Sequence, residues 1–239
     1  APSYFFIDIQ NSQVDDFENA VASVPGFREM RRTPMLRGRV TRLNGQTARP
    51  ETVAENGRWI LRGDRGVTWS RELPEGEFLV AGKWWPTDYS GKPLVSMAKT
   101  NAAALGLKIA DTITINILGQ NVTAEIASLR DVQWGSLRMN FLFIFSPGPL
   151  NAAPQTHLAT VHADPALEQD IESTIADNFP NVTIIRVRDT LETVSEFLNR
   201  VGLATRMTAG VAIVAGILVL AGAIAAGHRR RVYDSVVLK

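Results

Sequence analysis

Three histidines, no cysteine and a scatter of serines and carboxylates are the residues from which this chain could build a catalytic centre. Without cysteine there is neither a thiolate nucleophile nor a thiolate metal ligand. His157 and His162 stand five residues apart in a strand-like run. Side chains alternate along a strand, so the two rings point to opposite faces and do not readily share a metal ion. His162-x-Asp164 offers at best a two-ligand fragment, and His228 opens a basic cluster. Gly76-Glu-Phe-Leu-Val-Ala-Gly82-Lys83 has the outline of a phosphate loop. It carries five residues between its glycines where four are needed, and Trp84 stands where a hydroxyl must reach magnesium. No nucleophile elbow occurs, and Gly135-Ser136 reads as structural. Asp15, Asp16 and Glu18 read as the solvated face of a helix rather than a general acid–base pair. The expectation is a chain with no catalytic, cofactor-binding or metal-binding residues of its own.

Five tryptophans, Trp59, Trp69, Trp84, Trp85 and Trp134, all fall in the middle of the chain. Such residues fill the core of a β-rich lobe, or they form an apolar surface for a lipid-like molecule or a partner protein. The sequence leaves both open. Asn121-Val-Thr123 and Asn181-Val-Thr183 match the glycosylation triplet, but both sit in strand-like runs and are discounted.

The elements that must position these residues follow a repeated grammar. Tyr4 to Gln10 is aromatic and β-branched and predicts a strand. Asn11-Ser12 then opens a helix, with Ser12 and Asp15 in capping-box spacing and Val14, Phe17, Val21 and Val24 forming one apolar stripe. Pro25-Gly26 ends it, and a second strand follows through about Leu36. Near the other end, His157 to His162 is strand-like, and Asp164-Pro165 starts a helix striped by Leu167, Ile171, Ile175 and Phe179. Val182 to Val187 is its second strand. Two β-α-β units separated by a long insertion predict one domain built from both ends, an α+β arrangement.

The insertion, 37–150, reads as mostly β. Asn44-Gly45 is the strongest two-residue hairpin signal in the chain. Leu73-Pro-Glu-Gly76 turns into a strand from Phe78. Ser96 to Leu105 predicts a short helix ended by Gly106. Ile113, Ile115 and Ile117 alternate, Gly119-Gln120 turns, and Val122, Ala124 and Ile126 alternate back. Phe141 to Phe145 reads as a buried strand stopped by Ser146-Pro-Gly-Pro149.

Past residue 188 the pattern changes. Asp189 and Glu192 form a second capping box, and Leu191, Val194, Leu198 and Val201 carry an amphipathic stalk over 189–206. Met207 to Gly227 holds one threonine hydroxyl, no charge and no proline. At about 1.5 Å per residue it reaches about 31 Å, the thickness of a bilayer's hydrocarbon core, so it predicts a transmembrane helix. Arg229, Arg230 and Arg231 follow directly and place that end in the cytoplasm, with the bulk of the chain outside. Ala212-x-x-x-Gly216, Ala221-x-x-x-Ala225 and Gly222-x-x-x-Ala226 put small residues on faces where other transmembrane helices can approach. No break interrupts Thr190 to Gly227. The expectation is one rod, about 57 Å long, joining the outer domain to the membrane.

Composition fits this division. The chain has 239 residues, 45% hydrophobic and 21% charged, with a net charge of +1. Four of its Arg and Lys residues follow Gly227, so the remainder is slightly acidic and offers no basic face for nucleic acid. A cysteine-free outer domain relies on its core alone, which suits a bacterial periplasm. The chain opens Ala1-Pro2 and reads as a piece of a longer polytopic protein.

Taken in order, these features resemble the FtsX-like/MacB-type permeases of ABC transporters. The resemblance is carried by Ala1-Pro-Ser-Tyr-Phe-Phe-Ile-Asp-Ile9, Gly66-Val-Thr-Trp-Ser70 with Leu73-Pro-Glu-Gly76, Ala81-Gly-Lys-Trp-Trp85, Asn140-Phe-Leu-Phe-Ile-Phe145 and Arg229-Arg-Arg-Val-Tyr-Asp-Ser-Val-Val-Leu-Lys239. It runs over nearly the whole chain. It implies a porter-like subdomain in two halves, 1–36 and 151–188, around a β-rich subdomain at 37–150. A stalk at 189–206, a span at 207–227 and a cytoplasmic segment at 228–239 then follow. It implies a bacterial inner-membrane location, with residues 1 to about 206 periplasmic. It also implies a non-catalytic subunit whose partner, a cytoplasmic ABC ATPase, binds ATP and magnesium. Tyr233, Asp234, Val236, Val237, Leu238 and Lys239 would begin the coupling helix on that ATPase. Arg229 to Arg231 would fix orientation, and Ala212, Gly216, Gly222 and Ala226 would pack on other spans of the same permease in the lipid bilayer. The work done would be extraction or export of lipid-like or hydrophobic substrates, or control of a periplasmic partner protein. Two rivals stand beside this reading: a single-span periplasmic sensor or adaptor, and a membrane-tethered hydrolase.

Overall fold

The computed structural model describes residues 2–134, 138–148, 150–164 and 168–188, together with Ala209, Ile213 and Gly216. The chain divides into two units, Ala1–Val187 and Arg188–Lys239. The first is a mixed α/β unit whose organising element is one unusually long strand.

From the start, β1 (Tyr4–Gln10) is followed by a single 3-10 turn, Asn11–Gln13, and then α1 (Val14–Ser23). Val14, Phe17 and Val21 are buried, as the apolar stripe requires. The capping box expected at Ser12 and Asp15 is not formed: the N-cap position falls on Gln13, without a side-chain hydrogen bond. The 3-10 turn moves the helix start past Ser12, and Asp15 and Asp16 then lie in the first turn, where the helix dipole favours them.

Next comes β2 (Phe27–Leu43), 17 residues without interruption. The strand expected to end near Leu36 does not end there. Instead the strand continues and changes partners. Phe27 to Met35 pair with β10 (Thr156–Ala163). From Leu36 onward, β2 pairs with β4 (Arg65–Trp69) on one side and β7 (Thr112–Ile117) on the other. Gly38 makes this double pairing possible. A Cβ there would lie 2.6 Å from Ile115 Cγ2, 2.9 Å from Ile117 Cγ1 and 3.1 Å from Val67 Cγ2.

The first lobe is a four-stranded antiparallel sheet in the order β11 (Thr183–Arg186), β1, β10, β2. With α1 and α4 (Glu168–Asn178) it has the split β-α-β plan. Tyr4, Phe6 and Ile9 of β1 share a core with Phe17 and Val21 of α1, Val161 of β10, Ile171 and Ile175 of α4, and Phe179. Phe17 sits edge-on to both Phe6 and Phe179, with ring centroids 5.3 and 5.5 Å apart. Residues of this lobe come from both ends of the first unit.

The second lobe is a small barrel. Its remaining elements are β3 (Gln46–Thr47), α2 (Arg58–Leu61), β5 (Phe78–Gly82), β6 (Leu94–Ala98), α3 (Lys99–Ala104), β8 (Gln120–Asp131) and β9 (Phe143–Phe145). The pairings β2–β4, β4–β9, β9–β6, β6–β8, β8–β7 and β7–β2 close on themselves. Closure removes sheet edges. Inside lie Leu36, Val40, Val67, Val95, Met97, Ile113, Ile115, Ile126, Phe143 and Phe145, while Ile60 of α2 and Leu105 after α3 join the same core. β5 hangs on the outer side of β8 as an edge strand.

Local readings in this lobe hold with adjustments. Asn44 and Gly45 both have positive φ, +49° and +77°, and join β2 to β3 in a two-residue turn. The other hairpin turns at Leu118-Gly119, one residue earlier than expected, because those are the residues with φ +50° and +85°. Ser96 to Ala98 belong to β6, so the helix expected from Ser96 begins at Lys99; pairing with β8 and β9 and burial of both strand faces outweigh helix propensity. Phe141 and Leu142 are buried, but the strand itself is only Phe143–Phe145.

Within the second unit, Ala209, Ile213 and Gly216 are helical and exposed. Among the described residues no helix is long and apolar enough to cross a membrane. The expected span at 207–227 lies, apart from those three residues, outside the described residues, as does the stalk at 189–206.

Candidate functional site

Where β2 passes from one lobe to the other, its side chains sort by alternation. Met30 packs against the helix-side core, and Arg32 Nε donates to Glu18 Oε1 of α1 at 2.6 Å. Glu29, Arg31 and Thr33 therefore face the opposite side, where their β10 partners are His162, Thr160 and Leu158. Beside this open face stands the end of β4, held close by Thr68 Oγ1 donating to Pro34 O at 2.6 Å. Between them is a cleft of about 730 Å³.

The cleft is apolar at its base and charged at its rim. Phe141 and Ile144 line it and are themselves part of a small cluster with Trp85, against which Met35 of β2 and Leu158 of β10 pack. Trp69 and Met139 add further apolar wall. Trp69 Nε1 donates to Gln155 Oε1 at 3.0 Å, which satisfies its one polar atom. Thr33, Thr68, Ser70 and Thr160 also line it.

At the rim, Arg31 holds two carboxylates. Its Nε is 2.7 Å from Glu29 Oε1 and its Nη1 is 2.5 Å from Glu75 Oε2. The Glu75 contact reaches from β2 to the loop that follows β4. Hydrogen bonds from Arg31, reinforced by its charge, hold the Glu29 carboxyl below the usual carboxylate range. The bonds to Glu29 and Glu75 raise the Arg31 pKa in turn. Arg138 lies over the same loop: its Nη1 donates to Glu75 O at 3.4 Å, and a Cβ at Gly76, where φ is +77°, would overlap its guanidinium.

The loop carrying Glu75 is anchored on both sides. Ser70 Oγ donates to Glu72 O at 2.6 Å, Trp85 Nε1 to Ser70 O at 2.9 Å and Trp84 Nε1 to Arg71 O at 3.0 Å. The two indoles stack with centroids 4.1 Å apart. On the far side, Glu77 pairs with Arg130, which is fully buried. Arg130 also donates to Ser96 Oγ at 3.0 Å and Phe141 O at 2.9 Å. Burial pulls the Arg130 pKa down, opposed by the Glu77 charge.

The two histidines do lie on opposite faces. His162 lines the cleft. His157 is buried on the helix side, where Arg32 Nη1 and Asn11 Oδ1 each lie 2.9 Å from a ring nitrogen. A guanidinium only donates, so Nδ1 accepts and Nε2–H donates to Asn11. Burial, then the Arg32 charge, lowers the His157 pKa to about 4, with Glu18 opposing. No group of three or more potential metal ligands occurs among the described residues.

The tryptophans divide. Trp85 is buried, Trp69 and Trp84 are partly covered, and Trp59 and Trp134 are about half exposed at 47% and 48%. Arg65 lies 4.9 Å above the Trp59 ring. Gly216 is the one helix-packing residue among those described, and a Cβ there would meet no atom within 4 Å. Ala212, Gly222, Ala226, Arg229, Arg230, Arg231, Tyr233, Asp234, Val236, Val237, Leu238 and Lys239 lie outside the described residues. Sequence reading missed Arg31, Glu75 and Arg138. The Pro-Glu-Gly turn was visible, but nothing in spacing ties residue 75 to residue 31.

The chain resembles the FtsX-like/MacB-type permeases of ABC transporters. It is 28% identical over 237 residues to the uncharacterized ABC transporter permease YbbP of Escherichia coli, a match covering 99% of this chain and 28% of that protein. It thus spans little more than a quarter of the relative's length. No family model matches. Two solved structures align with TM-scores below 0.5. The periplasmic region of MacB from Actinobacillus actinomycetemcomitans aligns with a TM-score of 0.45 at 8% identity, over 81% of this chain and 92% of that one. A domain of a putative permease protein from Porphyromonas gingivalis aligns with a TM-score of 0.42 at 9% identity, over 77% and 88%.

Proposed function

We propose that this chain is the outer segment and adjoining membrane helix of a permease subunit in an ABC-type complex of the bacterial inner membrane. A separate cytoplasmic ATPase binds ATP and magnesium, and its hydrolysis drives conformational work outside the membrane. The observation that carries the reading is sequence similarity to a permease over 99% of the chain. The subunit itself is non-catalytic. Its outer lobes act on a lipid-like or hydrophobic substrate, or on a periplasmic partner protein.

In this reading Tyr233, Asp234, Val236, Val237, Leu238 and Lys239 lead into the ATPase contact, and Arg229 to Arg231 keep that end cytoplasmic. Ala212, Gly216, Gly222 and Ala226 seat the helix among other spans. Movement travels along Thr190 to Gly227 into the first lobe. From there the uninterrupted β2 strand is a stiff connection to the barrel, because both lobes hydrogen-bond to the same backbone. Inserting Gly-Gly-Ser beside Asn199 in the full-length permease tests the rod. The expected result is loss of outer activity with ATPase co-purification intact. Unchanged activity removes the lever, and failure of the intact permease to co-purify with any ATPase removes the reading itself.

A further inference from the structure

Glu75 stands where a ligand's anion would stand. Its carboxylate meets Arg31 Nη1 at 2.5 Å, and its own carbonyl receives Arg138 Nη1 at 3.4 Å, so two guanidiniums converge on one residue at the mouth of the cleft. Neither cation is saturated by this. A guanidinium has five N–H donors. Arg31 uses Nε on Glu29 and Nη1 on Glu75, while among the described residues Arg138 makes one long bond, to a neutral carbonyl. The Glu75 side chain is 72% exposed, so its carboxylate can leave for water at small cost.

Arg31 holds the Glu75 carboxylate, and Arg138 holds the Glu75 carbonyl. Arg31 is set on β2, where it pairs with Thr160 of β10. The Arg138 guanidinium lies against Gly76, whose lack of a side chain admits it. Behind the rim the cleft opens onto Phe141, Ile144 and Met139, and its 730 Å³ far exceeds what a bare ion fills. Cations at the mouth over an apolar base define a ligand with one anionic end and an apolar body. Glu29, fixed on the other side of Arg31, disfavours a second negative charge on that body.

We propose that Arg31 and Arg138 form an anion subsite of this cleft, that Glu75 occupies it in the unliganded chain, and that a carboxylate or phosphate ester carried on an apolar chain displaces Glu75. Charge-assisted contacts to a phosphate or carboxylate are strong and directional with arginine. Displacement of Glu75 also breaks its ion pair from β2 to the loop after β4. This inference concerns the outer domain alone and stands whether or not an ATPase partners the chain.

The test uses the 239-residue chain in a neutral detergent, titrated calorimetrically with hexyl phosphate, hexanoate, inorganic phosphate and hexanol. These probes are monomeric in water and separate head from body. Hexyl phosphate and hexanoate are expected to bind, with inorganic phosphate and hexanol each at least about tenfold weaker. E75Q is expected to tighten hexyl phosphate binding about fivefold, because the internal competitor is gone. R138Q is expected to weaken it about tenfold. Binding of hexanol as tight as hexyl phosphate overturns the anion subsite, and equal binding of inorganic phosphate overturns the amphipathic ligand. An E75Q chain that binds no tighter than the parent, with R138Q and the parent alike, overturns the displacement.

Discussion

Arg130 and Glu77 form an ion pair that is closed to solvent on both sides, the arginine at 0% and the glutamate at 6% side-chain exposure. Arg130 leaves β8, and Glu77 ends the loop that carries Glu75, so the pair nails the rim of the cleft to the wall of the barrel. Further bonds to Ser96 and to the carbonyl of Phe141 satisfy the guanidinium. Isolated burial of either charge would be costly, because the low-dielectric interior no longer solvates it.

Truncating one partner is therefore expected to be worse than removing both. Arg130→Ala leaves the Glu77 carboxylate buried and unpaired and is expected to cost about 3–5 kcal/mol. The double change Arg130→Met with Glu77→Gln is expected to cost distinctly less than the single truncation. Urea unfolding followed by tryptophan fluorescence decides the order; a single truncation no worse than the double would show that the pair is solvated.

Two glycines of the barrel are expected to respond differently to alanine. At Gly38 the added methyl meets Ile115, Ile117 and Val67 within 3.1 Å, so β2 is forced off one of its two partners, at about 1–3 kcal/mol. At Gly45 no atom lies within 4 Å, and only the positive φ of +77° is opposed, at about 1 kcal/mol. Thermal melting of G38A and G45A, side by side, measures the difference. Equal losses would remove the steric account of Gly38.

His157 gives the first lobe a pH dependence of known sign. Its folded pKa of about 4 lies below the ordinary 6.5, since burial and Arg32 oppose the charged ring. Above pH 6.5 both folded and unfolded forms are neutral, and the residue contributes nothing to the slope. As pH falls from 6.5 to 4, the unfolded chain takes up a proton that the folded chain refuses, and stability declines by about 1–3 kcal/mol. Below pH 4 this contribution is constant. His157→Gln retains an acceptor and a donor for Arg32 and Asn11 and removes the titration. The parent-minus-variant stability difference, measured across pH 4–7, should carry this slope; a flat difference would refute it.

The edge strand β5 exposes Phe78 at 65% and Val80 at 46%, without a charge within the strand. Unguarded apolar edges invite pairing between chains. Phe78→Lys is expected to change unfolding stability by less than about 0.5 kcal/mol and to reduce concentration-dependent light scattering. A loss of several kcal/mol would mean that the ring is covered in the folded protein.

Much of the secondary structure was legible in residue spacing. Val14, Phe17 and Val21 step at helical intervals, and Ile113, Ile115 and Ile117 at strand intervals, because each element must bury one face. Asn44-Gly45 was legible for a different reason: both residues tolerate the positive φ that a two-residue hairpin needs. The span expected at Met207 to Gly227 rests on composition alone, and apart from Ala209, Ile213 and Gly216 it lies outside the described residues.

Long-range pairing was not legible. That β2 runs through residues 36 and 37 and serves two lobes depends on Gly38 meeting β4 and β7 together, and neither neighbour is close in sequence. Ser96 to Ala98 read as helix and became strand because β8 and β9 were waiting on either side. The meeting of Arg31, Glu75 and Arg138 at one rim is likewise decided by tertiary structure. Local periodicity records which face of an element is buried. Only the folded chain determines which distant element buries it, and which charges are brought together at the seam.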